Sequence, residues 1–316
     1  MKLLRYTLYI LSLGVMVIAL TTCKKDISEE EKREAVIRTL LQDISADSVR
    51  NHVVWLQDMG ARFSLADNHR EIAVKIKKKF QDLGYMDAAL DSFNVVKTFR
   101  NVLYEQKQYN VIASIGGTDY PDSVCVVGGH YDDVLSTSDL TVVPGANDNA
   151  SGTSAVLEIA RVMKKNNYKP KSTILFIAFG AEEIGLLGSR DFAANPNEYS
   201  GKIRFMLNSD MIAFETSEAA ADWYINIMDY SNSHTLRLEA EKICTTYTLL
   251  SPFNDNTNSN RSDSYPFFTN GYKALFFFSG DSDPNYHSLN DVASNCNFDY
   301  CAEVVKLQCA LLANKN

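Results

Sequence analysis

Thr173-Ile174-Leu175-Phe176-Ile177-Ala178-Phe179-Gly180-Ala181-Glu182-Glu183-Ile184-Gly185 is the stretch that decides the fold. From Thr173 to Phe179 the run is apolar on both sides of a pleat, which reads as a strand covered on both faces. Gly180 ends it, and two carboxylates come next. The same strand reading applies to Asn110–Ile115, Ser123–Gly128, Ile203–Leu207, Trp223–Met228 and Ala274–Phe278. Between and around them, apolar residues recur at helical spacing over Asp47–Met59, Asp67–Leu83, Ser151–Lys165, His234–Tyr247 and Asn297–Ala313. Strands alternating with helices predict an α/β fold, a three-layer α/β/α sandwich around a mixed, mostly parallel sheet. There is no internal repeat and no interdomain linker.

Composition agrees with one large domain. The chain has 316 residues, 46% hydrophobic and 22% charged, enough apolar material for a sizeable core. Its formal net charge of −8 argues against nucleic acid as a partner, since phosphates need a basic face. An acidic balance suits metal ions or a cationic substrate group instead. Six cysteines in a chain this long are too sparse for a disulfide scaffold. Cys296 and Cys301 are spaced to close a small loop, while Cys125 lies in an apolar strand and reads as a buried small hydrophobe.

The N-terminus stands apart. Lys2 and Arg5 precede an uncharged, mostly apolar run from Tyr6 to Thr22, the pattern of a secretory signal. An uncleaved anchor is the alternative, because the run is at the lower limit for a spanning helix. Leu20-Thr21-Thr22-Cys23 resembles the lipobox of bacterial lipoproteins, in which the cysteine is acylated and becomes the first residue. Thr22 departs from the Gly, Ala or Ser usual before that cysteine. The resemblance implies an exported chain held to a bacterial membrane by lipid at Cys23.

In open α/β sheets, ligands bind beyond the carboxyl ends of the strands. The residues just past each strand end therefore carry the chemistry. His130-Tyr131-Asp132-Asp133 comes after the second strand, and a loop then leads to Gly145-Ala146-Asn147-Asp148-Asn149 at the start of a helix. Glu182-Glu183 comes after the third, Asn208-Ser209-Asp210 after the fourth, and Asp281 with Tyr286-His287 after the last. Two histidines among several oxygen donors suit Zn²⁺ or a similar ion, and the surplus of carboxylates suggests two ions sharing a bridge.

Each motif alone has a plainer reading. Glu182-Glu183 could be a solvated acidic pair, and Asp148 a helix cap. Their convergence on successive strand ends favours a site. His52, His69 and His234 lie at no strand end and read as ordinary core or surface histidines.

The ordered run from His130 to His287 resembles the co-catalytic dizinc exopeptidases, the bacterial leucyl aminopeptidase and aminopeptidase S type, over residues 45–313. The resemblance implies a phosphorylase/hydrolase-like sandwich and two Zn²⁺ per chain. It implies that His130 and Asp210 bind one ion, Glu183 and His287 the other, and that Asp148 bridges them. Glu182 would be the general base, and Asp132 would hold the His130 ring by its second nitrogen. The Asp148–Asn149 bond would be cis. In this family a histidine usually comes after the Ser-Asp of the segment Arg261-Ser262-Asp263-Ser264-Tyr265-Pro266-Phe267; here Ser264 stands in its place. Asp263 is open between a supporting role and a turn, and Asp291 between orienting His287 and capping a turn.

The domain reading that results is a lipoprotein-type signal peptide over 1–22, a tether over 23–44 and a single zinc exopeptidase domain over 45–316. The expected activity is aminopeptidase action on peptides. Met211, Phe214, Phe253 and Phe278 are candidates to line a side-chain pocket. The alternatives are a glutaminyl cyclase on the same fold and a non-catalytic peptide-binding lipoprotein, the latter disfavoured because no ligand or base is missing.

Overall fold

A computed structural model describes residues 28–137, 139–280 and 282–316. The signal-peptide reading, Cys23 and Asp281 lie outside the described residues. The elements, in chain order, are α1 (Glu29–Gln42), α2 (Ala46–Gln57), α3 (His69–Asp82), β1 (Ala89–Phe99), β2 (Val102–Ile115) and β3 (Tyr120–His130). Then come α4 (Gly152–Lys165), β4 (Ser172–Phe179), α5 (Leu187–Ala194), β5 (Ile203–Ser209), β6 (Tyr224–Met228) and α6 (His234–Tyr247). The last are β7 (Ser251–Phe253), α7 (Ser264–Thr269), β8 (Lys273–Ser279) and α8 (Phe298–Lys315).

The strands form one eight-stranded sheet in the order β1-β2-β4-β3-β5-β8-β6-β7. Four of its seven pairings are parallel, as a mixed, mostly parallel sheet requires. β4, β3, β5 and β8 run side by side in one direction at its centre, so their carboxyl ends share one edge. Every residue of β4 is buried, which is why its sequence is an unbroken apolar run.

On one face, α1, α2, α3, α4, α6 and α8 pack around a core that includes Val127, Phe176, Leu207 and Phe277. On the other, α5 and α7 cover Val126, Leu175, Ile177 and Met206 with Phe192 and Phe267. That makes three layers. α8 is apolar nearly all round because α1, α2 and α6 cover it.

The tether expected over 23–44 is corrected from Ser28 onward. Ser28 and Glu31 form a capping box, and α1 buries Ile37, Leu40 and Leu41 within the main core, against α8. Each such side chain contributes roughly 1.5–3 kcal/mol when withdrawn from water. The charged residues that suggested a tether occupy the solvent face, with Glu29–Lys32 and Glu34–Arg38 pairs at 2.7 Å. The β1–β2 hairpin is a further element that the sequence reading did not identify as such. Its two-residue turn at Arg100-Asn101 has φ of 49° and 66°, the backbone that a tight hairpin needs.

Cys296 and Cys301 are free thiols and close no loop. Cys125, Cys244, Cys301 and Cys309 are free and buried, as small hydrophobes. His52 is buried beside Glu158 at 3.3 Å, His69 lies against the main-chain oxygens of Ala66 and Lys107, and His234 is exposed beside Asp229. None of the three approaches the strand-end cluster. Among the described residues, no helix is long and apolar enough to cross a membrane.

Candidate metal centre

The four central strand ends deliver their side chains to one place. His130 is the last residue of β3, Glu182 and Glu183 come just after β4, Asp210 comes just after β5, and His287 lies beyond β8. Asp148 comes from the loop that opens α4. That loop can approach closely because Gly152 packs against β5: a Cβ there would fall 2.1 Å from the Ser209 carbonyl oxygen. The Asp148–Asn149 peptide bond is cis. His130, Asp148, Glu182, Glu183, Asp210 and His287 line one cavity of about 590 Å³.

Asp148 sits between the two imidazoles. Its Oδ1 is 3.4 Å from His130 Nε2, and its Oδ2 is 3.1 Å from His287 Nε2. His130 Nε2 also lies 3.4 Å from Asp210 Oδ1, and His287 Nε2 lies 3.2 Å from Glu183 Oε2. Two groups of three donors, His130–Asp148–Asp210 and Asp148–Glu183–His287, join at Asp148, and a third group, His130–Glu182–Glu183, takes one member from each. Glu182 faces His130 and Glu183 from outside this pair of groups.

The electrostatics are those of a site that needs positive charge. Burial, reinforced by Glu183 and Asp210 and opposed by His130, holds the Glu182 carboxyl well above its usual range. Burial and Asp148 push Glu183 up to about 8. Burial disfavours the His287 cation, but Asp148 and Glu183 outweigh it and raise the ring to about 10. Burial likewise opposes the His130 cation, and Glu182 and Asp210 override it. Glu183 Oε1, Asp210 Oδ1 and His287 Nε2 are buried without a hydrogen-bond partner. Orphaned donor atoms converging from a nitrogen-and-oxygen set fit divalent metal ions.

Supporting groups fix the donors. The Asp132 carboxylate accepts the main-chain N–H groups of Glu182 (3.1 Å) and Glu183 (3.2 Å) and the Ser64 hydroxyl (2.7 Å). Its Oδ1 is 3.7 Å from His130 Nδ1, whereas the Asp132 main-chain oxygen is closer, at 3.1 Å. Asp132 therefore holds the His130 ring through its carbonyl and the Glu182-Glu183 turn through its carboxylate. Asp291 neither orients His287 nor caps a turn. Its carboxylate accepts the N–H groups of Asn147 (2.7 Å) and Asp148 (3.0 Å), pinning the bridging loop. The Ser262 hydroxyl donates to Asp210 Oδ2 at 2.7 Å. Asp263 is fully buried behind the site, its carboxyl pushed up to about 7 chiefly by burial. Ser264 lies within hydrogen-bonding distance of the Tyr230 hydroxyl and does not line the cavity.

Ala181, Met211 and His287, each a site residue or its neighbour, have φ of 62°, 53° and 51°. Such backbone strain in non-glycine residues collects at functional sites. Met211 and Phe278 line the cavity with Phe276, whereas Phe214 and Phe253 do not. Tyr286, stacked on His287, and Arg261 complete the rim, with the two polar tips 3.5 Å apart. Sequence reasoning missed the contributions of Arg261, Ser64 and Ser262. The signal for Tyr286 is its position next to His287.

Known proteins share this architecture. The LapA aminopeptidase of Legionella pneumophila superposes with a TM-score of 0.73 at 23% identity, covering 91% of this chain and 75% of that one. A glutaminyl cyclase of Bacteroides thetaiotaomicron superposes at 0.67 and 18% identity, over 87% and 99%. Identities this low establish the fold alone. Aminopeptidase YwaD of Bacillus subtilis is 35% identical over 204 residues, 62% of this chain and 40% of that protein. The chain spans 40–62% of the length of the probable zinc metalloproteases and of YwaD, and about three quarters of a probable leucine aminopeptidase of Arthroderma otae. The profile of peptidase family M28 matches residues 110–312, well over half of the chain and all of the donors above. The chain belongs to peptidase family M28.

Proposed function

We propose that the protein is a zinc-dependent aminopeptidase that removes N-terminal residues from peptides, with two Zn²⁺ per chain. One observation carries this reading: the two oxygens of Asp148 face two different histidines, and each histidine is completed by a further carboxylate. His130 and Asp210 would hold one ion, Glu183 and His287 the other, with Asp148 shared. Bound there, the ions would polarise the scissile carbonyl and acidify a water molecule. The chain's own groups do the rest. Glu182, buried beside His130 and Glu183, takes a proton from the attacking water and passes it to the leaving amine. Met211, Phe276 and Phe278 offer an apolar wall to the first side chain of the substrate. The acidic mouth attracts the substrate ammonium. The zinc named in the aminopeptidase and metalloprotease relatives supports the choice of ion.

The shared fold with a glutaminyl cyclase is the observation behind a second reading. Metal content and a substrate screen separate the two. An aminopeptidase is expected to hold two zinc ions per chain, to cleave aminoacyl-p-nitroanilides and to ignore N-blocked peptides. One ion per chain with cyclisation of Gln-peptides would replace the aminopeptidase reading with the cyclase.

Export and lipid anchoring at Cys23 belong to the same proposal and rest on the basic-then-apolar start and the Leu20–Cys23 motif. In a bacterial host fed labelled palmitate, the wild-type chain is expected to take up label and sediment with membranes. Cys23→Ala is expected to do neither. An unlabelled wild-type chain would refute the anchor.

A further inference from the structure

We propose that Arg62 is a positioning residue for the metal centre, its guanidinium closing the neck of the 131–145 loop and so fixing His130 relative to Asp148. The inference rests on the metal reading above. Arg62 is fully buried, an arrangement that costs several kcal/mol unless charge and donors are satisfied. One carboxylate, that of Asp133, is close by, with Oδ2 3.2 Å from Nη2. The donors go mainly to main-chain carbonyls. Nε donates to Tyr131 (2.8 Å), Nη1 to Leu56 (3.2 Å) and Pro144 (3.1 Å), and Nη2 to Gly145 (2.7 Å). The Arg62 main-chain N–H donates to Asp133 Oδ1 at 2.9 Å.

The places gripped decide the consequence. Tyr131 is next in sequence to His130, and Gly145 lies three residues before Asp148. The loop that separates these two donors in sequence leaves and returns through one guanidinium. Leu56, at the end of α2, anchors the clamp to the helical layer. Gly145, with φ of 49°, is shaped to admit it: a Cβ there would lie 2.6 Å from Arg62 Nη2. A planar fork with five donors can reach Tyr131 and Gly145 together, while a lysine ammonium is a single point that cannot. Thermal stabilisation alone would explain a buried arginine, but not why its donors span the two sides of a metal-donor pair.

The test is zinc affinity by chelator competition on the purified full chain, at a temperature where circular dichroism shows each variant folded. Arg62→Lys is expected to bind zinc about 10- to 100-fold more weakly than wild type, the usual cost of losing support behind a ligand. A folded Arg62→Lys with zinc affinity within about twofold of wild type would overturn the proposal, whatever its melting temperature, because a purely structural role lowers Tm without touching the affinity of the folded protein. If Arg62→Lys does not fold, Arg62→Gln, which can satisfy at most one side of the loop neck, is expected to weaken zinc similarly; wild-type affinity in folded Arg62→Gln would also overturn it. A wild-type chain that binds no zinc would instead refute the metal reading.

Discussion

In zinc-loaded enzyme, Glu182→Gln is expected to retain both ions and to lower kcat on aminoacyl-p-nitroanilides by roughly 10³-fold, within the 10²–10⁴ range of a positioned general base. That is about 4 kcal/mol of barrier. The expectation comes from where Glu182 stands. It belongs to neither of the two donor groups that share Asp148, yet it faces both His130 and Glu183. Removing its charge leaves every expected ligand in place. The amide is nearly isosteric and keeps the turn, because the main-chain N–H of residue 182 still donates to Asp132. Glutamine, however, cannot accept a proton. Burial and the neighbouring carboxylates raise the pKa of Glu182 in the metal-free chain, and dications bound beside it would lower it again, giving the ionised carboxylate that a general base needs. Wild-type turnover by Glu182→Gln would remove the base assignment, and loss of zinc would move Glu182 into the ligand set.

The parts of the molecule that are readable in the sequence share a physical cause. β4 and the other central strands are buried on both faces, so their residues are uniformly apolar and their ends are sharp. A donor just past such a run lies at the carboxyl edge of the sheet, which is why His130, Glu182, Glu183 and Asp210 can be picked out from the chain alone. β1 alternates buried Phe93 and Val95 with exposed neighbours at the edge of the sheet, a weaker pattern. α1 carries its apolar stripe in its second half, behind an acidic first turn, so its sequence reads as a solvated tether. The supporting groups leave no trace in sequence. Arg62 reaches across 83 residues to the Gly145 carbonyl, and Asp291 across 144 to the Asn147 N–H. Such contacts are created by the fold, and a lone arginine or aspartate carries no periodicity that announces them. Asp132 is legible as a residue but not in its larger duty, because holding the N–H groups of Glu182 and Glu183 depends on β3 and β4 lying side by side.

Asp148→Ala is expected to have the opposite signature to Glu182→Gln: both zinc ions lost on dialysis, affinity for each down by at least about 100-fold, and activity abolished until zinc is in large excess. A shared carboxylate is the one donor whose removal touches two ions at once. Each of its oxygens faces a different histidine, so neither group of three keeps its full set. An anionic bridge would also offset the repulsion between two neighbouring dications, and alanine would leave that repulsion unscreened. The fold should survive the change. The main-chain N–H of residue 148 still donates to Asp291, Asn147 still bonds to Ala213 and Asp283, and Asn149 still bonds to Ser209 and Gly152. Circular dichroism that matches wild type, together with zinc below one ion per chain by atomic absorption, is the expected pair of results. Retention of two ions would show that Asp148 does not bridge. Retention of one would assign it to a single ion and leave the other with the two donors of its group other than Asp148. Because Glu182→Gln keeps the metal and loses the rate, while Asp148→Ala loses the metal and the rate with it, the two variants together separate the group that moves the proton from the group that holds the charge.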